Sequence, residues 1–590
     1  MTADPSETGP TPVTGVVSPR ARSALIGMAG ALSVTAVWVG SLASGPYQIT
    51  YGRHGWGQAE MVFLLHYVLF GLPGILLVTA GLTGAARGRL VALFERLPRL
   101  SVADGRALAL GATALVFLAV TGTRVGLLRD TAVTDDENVY AFMATVLASG
   151  RLFVPSLPEA IRPFFDNQFM INNGKWYGIY FPGYPAVLAA GEWLHVTRWV
   201  PTVAAALTVP IAFSATRRVF GQRAAVLVLP LMLLSPFFVF SSATFLAHST
   251  VGLLFMAFVY AALRVSERPG AAGWWLAAGV ALGWAGLTRP LSAAAFAAPW
   301  VGWLGWRLWK DRARQARRGA VLFCLVGAAT LATFFAYNSA LSGSPLTTGY
   351  HTFGRINGFS FTLGALPAPG PLPSLHELSY TLGRLNFWLL GWPLSLIFLP
   401  FFRRSTAGML LFLGTAAVLV AYAASTVPSI NVVGPVHYAD IVVPLLVLSA
   451  SGIEGLVERV SAWGIPSLTP GHVLAASVTA MLCAAVTFLP VYGSSLRAMS
   501  ALARAPYDLV EERGLDNAVV FVHSLPALHV HPGAWVYSHR NNSPDLSDRV
   551  LFVRYLGPER NTELMRYLPN RAPYAMGMRG TELVLRPIEP

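Results

Sequence analysis

Three consecutive carboxylates, Asp135, Asp136 and Glu137, stand in the stretch TDDENVYAF, a few residues after an apolar run from Ala107 to Leu128. A carboxylate can take the proton from an attacking hydroxyl, and adjacent carboxylates raise one another's proton affinity. The same residues also have a local explanation. Thr134-x-x-Glu137 is a capping box, and acids suit the positive end of a helix. Val139, Phe142, Met143 and Val146 then supply an apolar face, and Gly150 a stop. Capping accounts for Glu137, whereas a helix start needs one or two acids and not three. Asp135 and Asp136 are therefore open to chemistry.

The segment after this helix carries more reactive side chains. In FFDNQFMINNGKWYGIYFPGYPAVLAAG (164–191), Asn173-Gly174 reads as a hairpin turn. Lys175, Trp176, Tyr177 and Tyr180 follow it. A connection of roughly 70 residues with its own helix, hairpin and apolar segment exceeds what joining two elements requires.

The elements that must position these groups are membrane spans. The 590 residues are 54% hydrophobic and 12% charged, about half the charge density of a soluble domain, with mean hydropathy +0.55. Candidate spans are 24–44, 61–83, 107–128, 199–217, 224–241, 243–263, 271–288, 291–309, 319–341, 386–402, 408–426, 437–456 and 471–491, thirteen in all. The net charge of +14 comes mostly from arginines between apolar segments, not from a basic patch interleaved with aromatics. Nucleic acid is not the expected partner. The arginine groups at 87–106, 217–223, 307–318 and 403–404 all fall on the cytoplasmic side if the N-terminus is cytoplasmic. That holds only if FPGYPAVLAAGEWLHV (181–196) lies along the surface, since a run of about 10 to 14 apolar residues is more often interfacial than spanning.

The expected organisation follows. Residues 1–23 are a disordered cytoplasmic segment, and 24–128 hold three spans, the first an uncleaved anchor. Residues 129–198 form an extracytoplasmic catalytic loop. Residues 199–491 form the transmembrane core, with a second outer loop at 342–385 and short outer turns at Arg289 and at 427–435. Residues 497–590 make a small extracytoplasmic α/β domain, with strands at 518–522, 549–553 and 582–588 and a helix at 561–568 capped by Asn561. The fold class is an all-α polytopic membrane protein carrying that appended domain. Cys324 and Cys483 lie in apolar runs and are expected as free thiols. His523, His529, His531 and His539 show no tetrahedral zinc spacing, so no metal site is assigned and metal dependence is left open.

Taken together, the motifs resemble the GT-C superfamily of polyprenyl-phosphate-sugar-dependent glycosyltransferases, whose relatives include protein O-mannosyltransferases and lipid A aminoarabinose transferases. The likeness covers roughly residues 130 to 455. Asp136-Glu137 followed by Tyr140 and Gly150-Arg151-Leu152, GKWYGIYFPGYP, FLAHS (245–249), GLTRP (286–290), YNSALSGSPLTTGY (337–350) and GPVHYADIVVPLLVLSASG match successive blocks. Phe181 stands where a proline is usual, and His437 where an arginine is. The resemblance implies a donor that is a sugar on a polyprenyl phosphate, with no nucleotide loop and no cofactor. It implies an extracytoplasmic acceptor in a glycan, glycolipid or protein, and inversion at the anomeric centre.

On this reading Asp136 is the base, with Asp135 or Glu137 orienting the acceptor or tuning Asp136. Arg289, Lys175, Arg355 and His437 are the phosphate candidates. Arg289 is the most informative of them, as a span-end arginine on the face without the arginine groups. Tyr140, Tyr177, Tyr180, His248, His351 and Tyr438 are candidate donor or acceptor contacts. Two rivals remain: a lipid or solute transporter, which tends to carry mid-span charges and inverted repeats, and a non-catalytic acceptor-binding relative.

Overall fold

Long apolar runs with no water to satisfy their backbone must close their hydrogen bonds internally, and the chain is accordingly helical almost throughout. The computed structural model describes residues 18–43, 58–311, 314–357, 371–425, 432–523, 542–580 and 582–589. Among these, nine helices are long and apolar enough to cross a bilayer, or ten if the bent pair Gln222–Leu234 and Pro236–Ala243 is one crossing. The protein is thus a multi-pass membrane protein with fewer such helices than the thirteen expected. The segment expected at 386–402 is broken: a helix ends at Trp388 and a 3-10 turn covers Ser395–Phe401. Gly391 in the left-handed region (φ +75°), Pro393 and Pro400 interrupt it. Ala272–Thr288 forms but has only 17 residues. Helix begins at Pro19, inside the segment expected to be unstructured. Residues 1–17, most of the turn expected at 427–435, and 358–370 of the second outer loop lie outside the described residues.

The helix beginning near Val436 is the axis of the bundle, with 94% of its most apolar window buried, against 6% for the peripheral Ala316–Ser342. The bent pair matters most for the site. Pro236 removes a backbone donor where the chain turns by 56°. The Ser235 hydroxyl caps the new start by accepting from Phe238 N–H at 3.2 Å and donates to the Leu389 carbonyl at 2.6 Å. The break lets the chain carry Phe245 and His248 inward before the next helix, His248–Glu267, begins.

The arginine groups converge on one end of the bundle. Arg223 and Arg403 share Glu454 and Glu458, with Arg223–Glu454 at 3.0 Å and Arg403–Glu458 at 2.6 Å. The Arg223 guanidinium lies 4.5 Å from the ring centre of Phe94, in the 87–106 segment. Arg218 meets Glu267, and Arg307 bonds the neighbouring Ser266 carbonyl.

The opposite end carries the acidic loop and the C-terminal domain. In the loop, β1 (Val154–Pro155), β2 (Met170–Asn173) and β3 (Lys175–Gly178) form an antiparallel sheet in the order β1-β3-β2. Gly174 turns the hairpin at φ +77°. Residues 183–193 form an 11-residue helix, too short to cross a bilayer at about 1.5 Å per residue.

In the C-terminal domain, β4 (Ala518–Val522), β5 (Val550–Arg554), β6 (Ala572–Arg579) and β7 (Glu582–Pro587) are ordered β5-β4-β6-β7, with β4 parallel to both neighbours. Strand β6, APYAMGMR, was not anticipated, because its Ala, Pro, Gly and Met give little strand signal. The helix starts at Pro558 after Gly557 (φ +104°). Asn561 therefore lies within it, its side-chain oxygen accepting from Leu556 N–H at 3.2 Å. Arg560 bonds the Ala160 carbonyl at 3.2 Å and Phe164 meets Phe521, tying the domain to the acidic loop. Both cysteines are free, Cys483 accepting from the Tyr67 hydroxyl at 3.3 Å. His523 stacks on Tyr555 at 3.7 Å; His529, His531 and His539 lie outside the described residues.

Away from the loop, Arg384 reaches the buried Glu60 carboxylate at 2.9 Å, and Tyr492 donates to its other oxygen at 3.0 Å. Removing one partner of a buried pair leaves an uncompensated charge. Arg384→Met is expected to cost about 3–5 kcal/mol, read as a lower Tm of the detergent-solubilised protein. The Glu60→Gln/Arg384→Met double variant should recover most of that loss.

Candidate active site

The acidic helix, Asp135–Ala148, packs its apolar face on the hairpin. Phe142 lies 4.8 Å from Trp176, and a Cβ on Gly178 would fall 2.4 Å from the Val139 side chain, so only glycine fits there. This packing fixes the azimuth of the helix and separates its three acids.

Glu137 is 2% exposed and fully engaged. One oxygen accepts from the Val133 and Thr134 N–H groups at 2.9 and 3.1 Å and from the Thr134 hydroxyl at 3.2 Å. The other accepts from Phe245 N–H at 2.7 Å. It thus performs the capping foreseen and also clamps the helix to the segment leading into His248. Burial nevertheless pushes its carboxyl up to about 7 against these hydrogen bonds.

Asp135 and Asp136 keep partial access to solvent though they lie deep in the protein. Asp136 accepts a short hydrogen bond from the Tyr180 hydroxyl. Burial raises its carboxyl above the usual range, opposed by that hydrogen bond and by the charges of His248 and Arg289. Asp135 is pushed up to about 8, by burial first and then by the charge of Asp136. Burial and the adjacent charge of Asp136 thus both favour the protonated form of Asp135.

Facing Asp136 is a polar cluster assembled from four other segments. Asp440, fully buried, accepts from Arg289 Nε at 2.7 Å and from the Ser292 hydroxyl at 2.6 Å through one oxygen. Its second oxygen meets His248 Nδ1 at 2.8 Å. Arg289 also donates to the Tyr422 hydroxyl at 2.6 Å. Tyr140 stacks on Tyr180 at 4.4 Å, and Tyr180 meets Tyr350 edge-on at 5.8 Å.

Of the residues singled out in the sequence, Asp135, Asp136, Tyr140, Tyr180, His248 and Arg289 come together here. His437 stacks on Tyr422 at 5.4 Å, and Tyr438 meets the same ring edge-on at 5.6 Å. Lys175 is held away, its ammonium donating to the Ala340 carbonyl at 2.5 Å and lying 4.7 Å from the ring centre of Phe153. His351 is 2.9 Å from the Thr348 hydroxyl at the start of the short helix Gly349–Asn357. Arg355, on the same helix, is exposed with its charge felt at Tyr177. Asp440, Ser292, Tyr422 and Tyr350 were missed as site residues. Asp440 left a signal, a lone acid in an apolar run; the hydroxyls left none. Among the described residues no group of three or more His, Cys, Asp or Glu is arranged to hold a metal.

With the geometry in view, comparison with known proteins places the fold. Residues 187–337 match the family model of dolichyl-phosphate-mannose-protein mannosyltransferase. ArnT from Cupriavidus metallidurans in the apo state aligns over 81% of this chain and 93% of its own, at 15% identity and TM-score 0.50. The same protein bound to undecaprenyl phosphate aligns over the same shares at 13% and 0.48. The Archaeoglobus fulgidus oligosaccharyltransferase aligns over 79% of this chain and 69% of its own, at 13% and 0.46. No curated protein sequence matches the chain. The resemblance to the GT-C glycosyltransferases holds, and the chain has their fold.

Glu137→Gln would turn an amide nitrogen toward backbone donors. It is expected to cost about 1–3 kcal/mol, seen as a lower Tm and faster proteolysis within the acidic loop.

Proposed function

We propose that the protein is a membrane glycosyltransferase that moves a sugar from a polyprenyl phosphate to a hydroxyl acceptor on the extracytoplasmic side. The observation that carries this reading is that Asp136 lies within the electrostatic reach of Arg289 and His248, which Asp440 gathers from distant parts of the sequence at the bundle end opposite the arginine groups. The family match over 187–337 supports a lipid-phosphate donor. With the arginine-rich end cytoplasmic, the N-terminus is cytoplasmic and the site faces outward.

Asp136 takes the proton as the acceptor oxygen bonds to the anomeric carbon. The carbon–phosphate oxygen bond breaks on the opposite face, its electron pair leaves with the polyprenyl phosphate, and the centre inverts. Tyr180 holds one Asp136 oxygen and leaves the other for the acceptor. Arg289, pinned in one orientation by Asp440 and Tyr422, offers positive charge to the departing phosphate with no reorganisation at the moment of reaction. His437, stacked on Tyr422, is placed to assist it. Lys175 and Arg355 would act only on the outer parts of a bound donor. The chemistry assigned to these side chains needs no cofactor.

Asp136→Asn is expected to lower transfer from a radiolabelled polyprenyl-phospho-sugar by about 10²–10⁴-fold at unchanged expression; full activity in that variant rejects the assignment. Asp135→Asn, replacing a neutral group by a neutral one, should retain far more. Because the base must be ionised and its affinity for protons is raised, kcat/KM should fall on acidification with a midpoint above the ordinary carboxylate range. Tyr180→Phe removes a hydrogen bond that lowers the Asp136 value, so the midpoint should move up.

A further inference from the structure

The acidic helix has a second polar face. Asn138, Ala141 and Thr145 share one side of it and line a cleft of about 320 Å³, with Arg124 and Phe245 across from them. A neighbouring cleft of about 350 Å³ shares Asp130, Asn138 and Arg198 with the first and runs on to Tyr507 and Glu511. Asp136 and Tyr140 project from the other side of the helix, toward Tyr180.

The first cleft mixes hydrogen-bonding groups with the apolar side chains of Leu128, Phe142 and Phe245, the second is mainly polar, and the charges are largely balanced in pairs. Arg124 pairs with Asp130 at 2.8 Å, and Arg504 with Asp508 at 2.6 Å. Thr145 donates to Glu192 at 3.0 Å. A polyanion would require an excess of cations, and an acyl chain an apolar wall. Paired donors and acceptors instead suit hydroxyls that each give and receive a hydrogen bond.

We infer that the joined clefts bind the carbohydrate of a glycan acceptor, at a subsite remote from the point of transfer. This rests on the glycosyltransferase reading above and deepens it. The helix between the cleft and Asp136 is about 10–12 Å across. A ligand in contact with both must reach around its first turn, which a single sugar or one amino-acid side chain does not do. On this inference the acceptor is an oligosaccharide.

Full-length protein in lipid nanodiscs can be supplied with polyprenyl-phospho-sugars extracted from the membranes of its source cells. The acceptors offered are mono-, di- and trisaccharides released from the envelope of those cells. Wild type is expected to show a KM for the trisaccharides at least tenfold below that for the monosaccharides. Ala141→Trp, which fills the cleft from an exposed position, should raise the trisaccharide KM at least tenfold while kcat and donor hydrolysis by water stay within twofold. Thr145→Tyr provides the same test should Ala141→Trp fail to accumulate. Equal KM values for short and long acceptors, an unchanged KM in the filled variants, or transfer to protein alone overturns the subsite and leaves the transferase standing. Wild type that consumes no donor with any acceptor, water included, overturns both.

Discussion

The buried carboxylate of Asp440 is the constraint around which the acidic-loop end of the bundle is organised. A charge at the start of the most buried helix is tolerated only when its oxygens are satisfied. Here they are met by Arg289, Ser292 and His248, drawn from helix ends far apart in the chain. The consequence is geometric. Arg289 cannot snorkel to the interface, as an isolated arginine would, and its guanidinium plane is set by Asp440 on one edge and Tyr422 on another. The electrostatic character assigned to the site depends on this hold.

The three adjacent acids divide their work because a helix turns by about 100° per residue. Glu137 faces inward and becomes a clamp, bonding its own N-cap and the backbone of Phe245. Asp136 faces Tyr180 and the arginine cluster. Asp135 sits beside it with its proton retained to about 8. Glu137 thereby ties the acidic helix to the segment that joins the broken helix Pro236–Ala243 to His248. The break at Pro236 is thus part of how the site is assembled.

The two ends of the bundle also differ in character. Arginines of the 217–223 and 403–404 groups gather on Glu454, Glu458 and Glu267 at one end, where Phe94 and Arg307 join them, while the acidic loop and the C-terminal sheet share the other. The contacts from Arg560 and Phe164 fasten that sheet to the acidic loop.

Composition and period alone determined that the chain crosses a membrane many times, where its arginines gather, that Asn173-Gly174 turns a hairpin, and that Glu137 caps a helix. These are local or additive properties, readable from a window of residues. Tertiary structure decided what depends on distant partners. It showed that 386–402 breaks at Gly391 and its prolines, that β6 forms between β4 and β7, and that Lys175 is spent on the Ala340 carbonyl. It also placed Asp440, Ser292 and Tyr422 in the site. Asp440 was visible as an anomaly, an acid without company in an apolar run. Its partners were not, since hydroxyls are common in such helices and a hydrogen bond across some 150 residues of chain leaves no trace in local sequence.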